Sequence, residues 1–218
     1  MDQPEITDID ALTDRAVALV RPGHRAIIGV TGSPGAGKTT MANRLAEHVN
    51  ARLGDGTAVH LPMDGFHLAN ATLDRLGRHD RKGALDTFDG WGFVALLRRL
   101  RDEIDHEVYA PSFRRQVDEP IASETAVPAG AALVVVEGNY LLVDSEPWDQ
   151  VRPLLDEAWF CVTSGEDRMT RLIDRHTRHG RTLEAANAWA AAVDEVNAEL
   201  IESTRPRADL LVSGTAPL

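Results

Sequence analysis

The sequence predicts an α/β fold, a three-layer sandwich with a central, mostly parallel sheet between helices and a short arginine-rich helical lid. Three observations predict it. First, an apolar β-branched run, Ile27, Ile28 and Val30, feeds into Gly32-Ser33-Pro34-Gly35-Ala36-Gly37-Lys38-Thr39. Met41, Ala42 and Leu45 then begin a helical period, so G-x-x-x-x-G-K-[ST] stands in the strand–loop–helix setting it requires. Second, Ala132–Val136 is continuously apolar, as a parallel strand covered on both faces must be, and it ends in Glu137. Third, Arg168, Arg171, Arg175 and Arg178 recur at spacings of three, four and three, which is one stripe of a helix.

The remaining elements follow in order. Ile9, Leu12, Ala16, Leu19 and Val20 share one face of an opening helix over Thr7–Val20, capped by Thr7 or Asp8 and stopped by Pro22-Gly23. The first strand is Ala26–Thr31, and the helix after the loop runs to about Leu53, where Gly54-Asp55-Gly56 turns the chain. Thr57–Pro62 is the second strand. Leu76–Phe93 has no clean period and reads as part of a surface excursion over about 66–118. Inside it, Val94, Leu97, Leu100 and Ile104 mark a helix over about 91–104, and residues 108–121 read as extended segments broken by Pro111. Pro128-Ala129-Gly130 is a turn before the central strand. Ala158–Val162 is another apolar strand. The arginine helix over Glu166–Arg178 turns Met169, Leu172, Ile173 and His176 the other way, and Gly180-Arg181-Thr182 ends a lid of about 165–182. A last helix over Leu183–Thr204 places Ala185, Trp189, Ala192, Val193, Val196 and Leu200 inward, and Asp209–Val212 is the final strand. The 218 residues are read as one domain, 1–218.

The loop's spelling follows from its chemistry. Phosphate oxygens call for several main-chain N–H groups converging on one concavity, which glycine permits by tolerating tight turns and close approach. The helix start adds unpaired N–H groups and a positive dipole end. Residues Gly32, Ser33, Pro34, Gly35, Ala36, Gly37, Lys38, Thr39 and Thr40 are therefore expected to hold the phosphates of a nucleotide. Lys38 supplies a point charge, and the Thr39 hydroxyl is placed to ligate Mg²⁺. Ligands of open parallel sheets sit beyond the carboxyl ends of the strands. Asp64, just past the second strand, is therefore at the level of the loop. There it could take the proton of an attacking hydroxyl or hold Mg²⁺ through water, although an Asp before Gly65 also suits a plain turn. Glu137, a carboxylate at the tip of an apolar strand, is costly to leave unpaired, and Mg²⁺ or its water shell is its natural partner.

Bulk properties exclude several classes. A formal charge of −11 argues against binding nucleic acid through its phosphates, and it leaves polyanions to be held by local groups. Only Lys38 and Lys82 are lysines, and neither belongs to an N-K-x-D guanine motif. The glycine spacing fails G-x-G-x-x-G, so dinucleotides are not expected. No apolar run reaches membrane-spanning length, no secretory signal pattern opens the chain, and the lone Cys161 lies in an apolar run. The expectation is a cytoplasmic protein in a reducing compartment.

The motifs GSPGAGKTT, PMDGFHL, GALDTFD, YAPSFRR, VVVEGNYLL and RLIDRHTRHG together resemble the uridine kinase, phosphoribulokinase and pantothenate kinase superfamily. They are most similar to the branch labelled fructose-transport-system kinase or nucleoside/nucleotide kinase, over roughly Arg25 to Val212. The resemblance implies a P-loop kinase that uses ATP and Mg²⁺ to phosphorylate a small hydroxylated substrate. It makes Asp64 the general base and sets Glu137 beside Mg²⁺. Arg168 and Arg171 become lid arginines at the transferring phosphate, with Arg175, Arg178 and Arg181 matching more loosely. His67, Tyr109 and Arg115, with Asp64 and Glu137, fall at substrate-side positions. Homodimers are common among such kinases. Alternatives are pantothenate-kinase-like activity or a nucleotide-dependent ATPase switch with a protein partner. Aromatic content of 5% leaves few stacking partners for a base and tilts the acceptor toward a sugar or polyol.

Overall fold

The structure, a computed structural model, describes residues 5–178, 180 and 182–214. Six parallel strands form one sheet: β1 (Glu5–Ile6), β2 (Ala26–Thr31), β3 (Ala58–Pro62), β6 (Leu133–Glu137), β7 (Glu157–Val162) and β8 (Leu210–Ser213), ordered β1-β8-β7-β2-β6-β3. β4 (Val108–Arg114) and β5 (Glu119–Val127) form a separate antiparallel hairpin. The central strands are buried along their whole length, which is why their sequences are apolar without alternation.

Two cores lie on the two faces. On one, α1 (Ile9–Leu19) and α2 (Lys38–Leu53) bury Leu12, Ala16, Met41, Leu45 and Val49 against Ile28, Val30, Val135 and Trp159. On the other, α4 (Gly90–Asp102) buries Phe93, Val94, Leu97 and Leu100 with Tyr140, Trp148, Val134 and Val136. Asp8 caps α1 by accepting from the Asp10 N–H, and Asp89 caps α4 by accepting from Gly92. Cys161 is buried in the first core, where burial pushes its thiol up to about 12.

Several expectations need correction. β1 was not foreseen; two residues carry no period, and only pairing with Leu211 and Val212 defines them. The excursion is not a bare loop. It holds α3 (Asn70–Leu76) and two short 3₁₀ turns. Pro111 does not break the extended segment: it sits at an irregularity in the pairing of β4 with β5, between Ala110 and Ser112, where a missing N–H is tolerated.

The last helix is likewise not one regular helix. α5 (Gly165–Arg178) precedes it, Arg181 lies outside the described residues, and Thr182 caps α6 (Leu183–Trp189). A π-helical turn over Ala190–Asp194 then leads into α7 (Glu195–Ser203). Its buried residues are Ala186, Ala190, Asp194, Asn197, Ala198 and Ile201, whereas Ala185, Ala192, Val196 and Leu200 are exposed. The apolar stripe misled because this helix docks through polar groups. Asp194 accepts from His176 at 2.7 Å, Asn197 donates to the Gly83 carbonyl at 3.3 Å, and Glu195 pairs with Arg168 at 2.7 Å.

Arg25 ties the layers together. It is almost fully buried and pairs with no carboxylate among the described residues; its guanidinium donates to the carbonyls of Ala131, Pro128, Leu100 and Glu103 at 3.0–3.1 Å. One side chain thus joins β2 to the end of α4 and to the turn before β6. Arg25→Met strands four carbonyl acceptors. It is expected to cost about 4 kcal/mol of stability, read as a lower urea midpoint at unchanged slope.

Candidate active site

β2 delivers the loop at residues 32–37. Gly37 starts α2 at φ +94°, a left-handed conformation, and a side chain there would also meet the Gly214 carbonyl at 2.7 Å. Four of the loop's carbonyls accept from side chains, three of them from outside the loop. Ser33 O accepts from Lys38 Nζ at 3.0 Å, Pro34 O from Arg168 and Gly35 O from Arg171, each at 3.3 Å, and Ala36 O from the Thr163 hydroxyl at 2.9 Å. A trans peptide points its N–H opposite its C=O, so the N–H groups of Gly35 and Gly37 face the other way. The Ser33 hydroxyl donates to Glu202 at 2.5 Å, fastening the loop to α7.

Register sets the carboxylates. β6 lies between β2 and β3, with Glu137 opposite Val30 on one side and Pro62 on the other. The Thr39 hydroxyl, in the first turn of α2, donates to Glu137 at 2.9 Å. Past β3 the chain makes a 3₁₀ turn over Met63–Phe66, which carries Asp64. The hairpin crosses closely here: a Cβ on Gly65 would lie 2.2 Å from the Pro111 carbonyl. The same contact brings Arg115 to 3.7 Å from the Asp64 carboxylate.

These groups line one cavity of about 460 Å³. Its walls include Lys38, Thr39, Asp64, Arg115, Glu137 and Arg175, together with His67, Phe88, Phe113, Trp189 and Asp194. The described lid arginines separate. Arg175 reaches the cavity, Arg171 stays on the loop's outer side and Arg178 pairs with Asp174 in solvent. Arg168 is buried between Pro34 and Glu195. Neither Arg168 nor Arg171 lines the cavity. Tyr109 also lies elsewhere: strand alternation buries Val108 and Ala110, so Tyr109 faces solvent and its hydroxyl donates to Glu107. Sequence reasoning missed the cavity-lining Lys82, Trp189, Asp194 and Asn197. The π-helical turn that presents Asp194 has no sequence signal.

Electrostatics mark the cavity as built for an anion and a cation together. Burial lowers Lys38, partly offset by Glu137; burial also lowers Arg175, and the neighbouring Arg115 adds to that. Concentrated positive charge of this kind fits a polyphosphate. Burial and the nearby Asp64 raise the Glu137 carboxyl to about 7. His60, on β3, is lowered by burial to about 4, and its buried Nε2 lies 3.9 Å from Glu137 with no hydrogen-bond partner among the described residues. A buried carboxylate beside a hydroxyl and an unpartnered imidazole nitrogen fits a hard cation with its water shell. Among the described residues no group of three or more His, Cys, Asp or Glu could hold a metal ion. Among the described residues no helix is long and apolar enough to cross a membrane.

Comparison with known proteins gives a consistent picture. The profile of the phosphoribulokinase/uridine kinase family matches residues 27–216. The Schizosaccharomyces pombe protein named "Putative uridine kinase C227.14" is 32% identical over 97% of this chain and 93% of its own length. Escherichia coli "Uncharacterized protein YggC" is 33% identical over 92% of this chain and 82% of its own. Among solved structures, the "putative fructose transport system kinase" of Silicibacter sp. TM1040 superposes with a TM-score of 0.86 at 35% identity, covering 94% of this chain and 99% of that one.

The position of Glu137 gives a prediction about stability. Its pKa in the fold lies above the ordinary 4.5, so the fold favours the protonated form. The penalty for the carboxylate therefore grows as pH rises from about 4.5 and is complete above about 7. Without nucleotide, Glu137→Gln is expected to melt about 5 °C above the parent protein at pH 8 and level with it at pH 4.5, by calorimetry at both pH values.

Proposed function

This chain belongs to the phosphoribulokinase/uridine kinase family and is an ATP-dependent phosphotransferase of small metabolites; on that premise we propose that it moves the γ-phosphoryl group to a hydroxyl of a sugar, nucleoside or related compound. The observation that carries the reading is the meeting of Lys38, Thr39, Asp64, Arg115, Glu137 and Arg175 around one cavity at the carboxyl end of the sheet. Three cations and a cradle of N–H groups answer a polyphosphate. A carboxylate outside that cradle answers a hydroxyl.

In this reading the N–H groups of Gly35 and Gly37 and the Lys38 ammonium bind the β- and γ-phosphates. Asp64 orients the acceptor hydroxyl and takes its proton as the new P–O bond forms and the bond to the β-phosphate oxygen breaks. Arg115, 3.7 Å away, keeps the Asp64 carboxylate turned toward the acceptor. Lys38 and Arg175 balance the charge on the transferring oxygens, the term that dominates phosphoryl transfer. Thr39 and Glu137 would hold Mg²⁺, directly or through water, and the bound ion would neutralise charge on the β- and γ-phosphates. Arg168 and Arg171 serve as positioning residues that hold the loop carbonyls outward. The cavity walls contributed by α5 and the π-helical turn keep water from competing as acceptor. A cytoplasmic setting suits both the nucleotide and the buried thiol.

Two substitutions test the assignment. Lys38→Ala is expected to keep the circular dichroism spectrum and lose about 10³-fold in substrate-stimulated ADP release. Asp64→Asn is expected to keep ATP affinity, read by displacement of a fluorescent nucleotide, and to lose about 10²-fold or more in kcat. Full activity in the first would remove the loop assignment, and in the second the base.

A further inference from the structure

The acceptor side of the cavity carries a second, more specific message. His67 is pressed between Phe88 and Phe113, with ring centroids 4.0 and 4.7 Å away. Its Nδ1 lies 2.8 Å from the main-chain carbonyl of Asp64. A carbonyl only accepts, so Nδ1 must carry a proton. Burial lowers the pKa of His67, which keeps the ring neutral, and a neutral imidazole has one N–H. Nε2 is therefore a bare lone pair, with no hydrogen-bond partner among the described residues, on a side chain that lines the cavity.

Asp194 has the same character. The π-helical turn puts it in the cavity wall, largely buried. One carboxylate oxygen accepts from His176 Nε2 at 2.7 Å, and the group can only accept further bonds. Of the cations on these walls, Arg175 is shared electrostatically between Asp194, Asp64 and Glu137, and Lys82 is already engaged. Lys82 Nζ donates to the Asn70 side chain at 2.6 Å, pairs with Asp118 at 3.0 Å and sits 5.1 Å from the centre of the Phe113 ring. Arg115 is turned to Asp64.

We propose that this end of the cavity selects an uncharged polyhydroxy alcohol, because His67 Nε2 and the Asp194 carboxylate meet it as acceptors and demand hydroxyl donors. A carboxylate or phosphate placed there would face a carboxylate and a lone pair, two acceptors that answer a hydroxyl and repel an anion. The proposal rests on the kinase reading above and narrows its acceptor. His67 and Asp194 become specificity-determining residues.

The tautomer is read first, with no substrate. In ¹⁵N-labelled protein at pH 7.5, the His67 imidazole, assigned by its absence in His67→Gln, is expected to be protonated at Nδ1 and bare at Nε2. A proton on Nε2 overturns the proposal. Turnover is read second, as ADP release with ATP and matched alcohols: glycerol against D-glycerate, panthenol against pantothenate, and D-ribulose against D-ribulose 5-phosphate. The neutral member of an active pair is expected to be favoured at least about tenfold in kcat/KM. His67→Phe is expected to raise KM for that alcohol about tenfold at unchanged KM for ATP. His67→Gln, whose carbonyl oxygen reaches the place of Nε2, should recover most of the loss. Preference for the anionic member, or a His67→Phe enzyme with unaltered alcohol KM, overturns the selectivity alone. Stimulation by no alcohol counts against the kinase reading and the selectivity together.

Discussion

Three successive carbonyls, from Pro34 to Ala36, are each gripped from outside the phosphate loop, and the rest of the site depends on that grip. A loop peptide has two polar ends and only one can face an anion. Arg168 and Thr163 hold the Pro34 and Ala36 carbonyls outward, which turns the N–H groups of Gly35 and Gly37 the other way before any ligand arrives. Preorganised donors cost little reorganisation when charge develops. The arginines of α5 are therefore structural as much as electrostatic. Arg168 is buried because its guanidinium bridges Pro34 to Glu195, and that bridge links the loop to the start of α7.

The same site stores unfavourable charge. Lys38 and Glu137 are both buried, and each is pulled away from its charged form by loss of water. His60 adds a buried nitrogen with no hydrogen-bond partner among the described residues. Such groups lower the stability of the free protein and raise the affinity for whatever compensates them. The cost is borne by the surrounding sheet. Its central strands β2 and β6 are buried along their whole length, and Arg25 clamps its far end to four main-chain carbonyls.

Acceptor-side geometry comes from contacts between elements far apart in the chain. The hairpin reaches Asp64 because Gly65 lets the Pro111 carbonyl approach to a distance no side chain would permit. The α6–α7 helix reaches the cavity because a π-helical turn adds a residue and swings Asp194 inward toward His176. In both cases the chain departs from regular geometry beside the cavity, where irregular elements place polar groups that a regular helix or strand would turn elsewhere.

Fold and phosphate chemistry were legible in the sequence because they are local. The loop's spelling, the apolar central strands and the two strand-end carboxylates Asp64 and Glu137 follow from neighbouring residues and from periods of two and 3.6. Tertiary structure alone decided which cations face the cavity. Arg168, Arg171, Arg175 and Arg178 share one stripe in sequence, yet they divide between loop support, cavity and solvent according to what packs against each turn of α5. It also decided the face of the last helix. Ion pairs and carbonyl contacts between distant segments outweighed the apolar stripe of Val196 and Leu200, because a buried polar group must find its partner wherever the fold brings one.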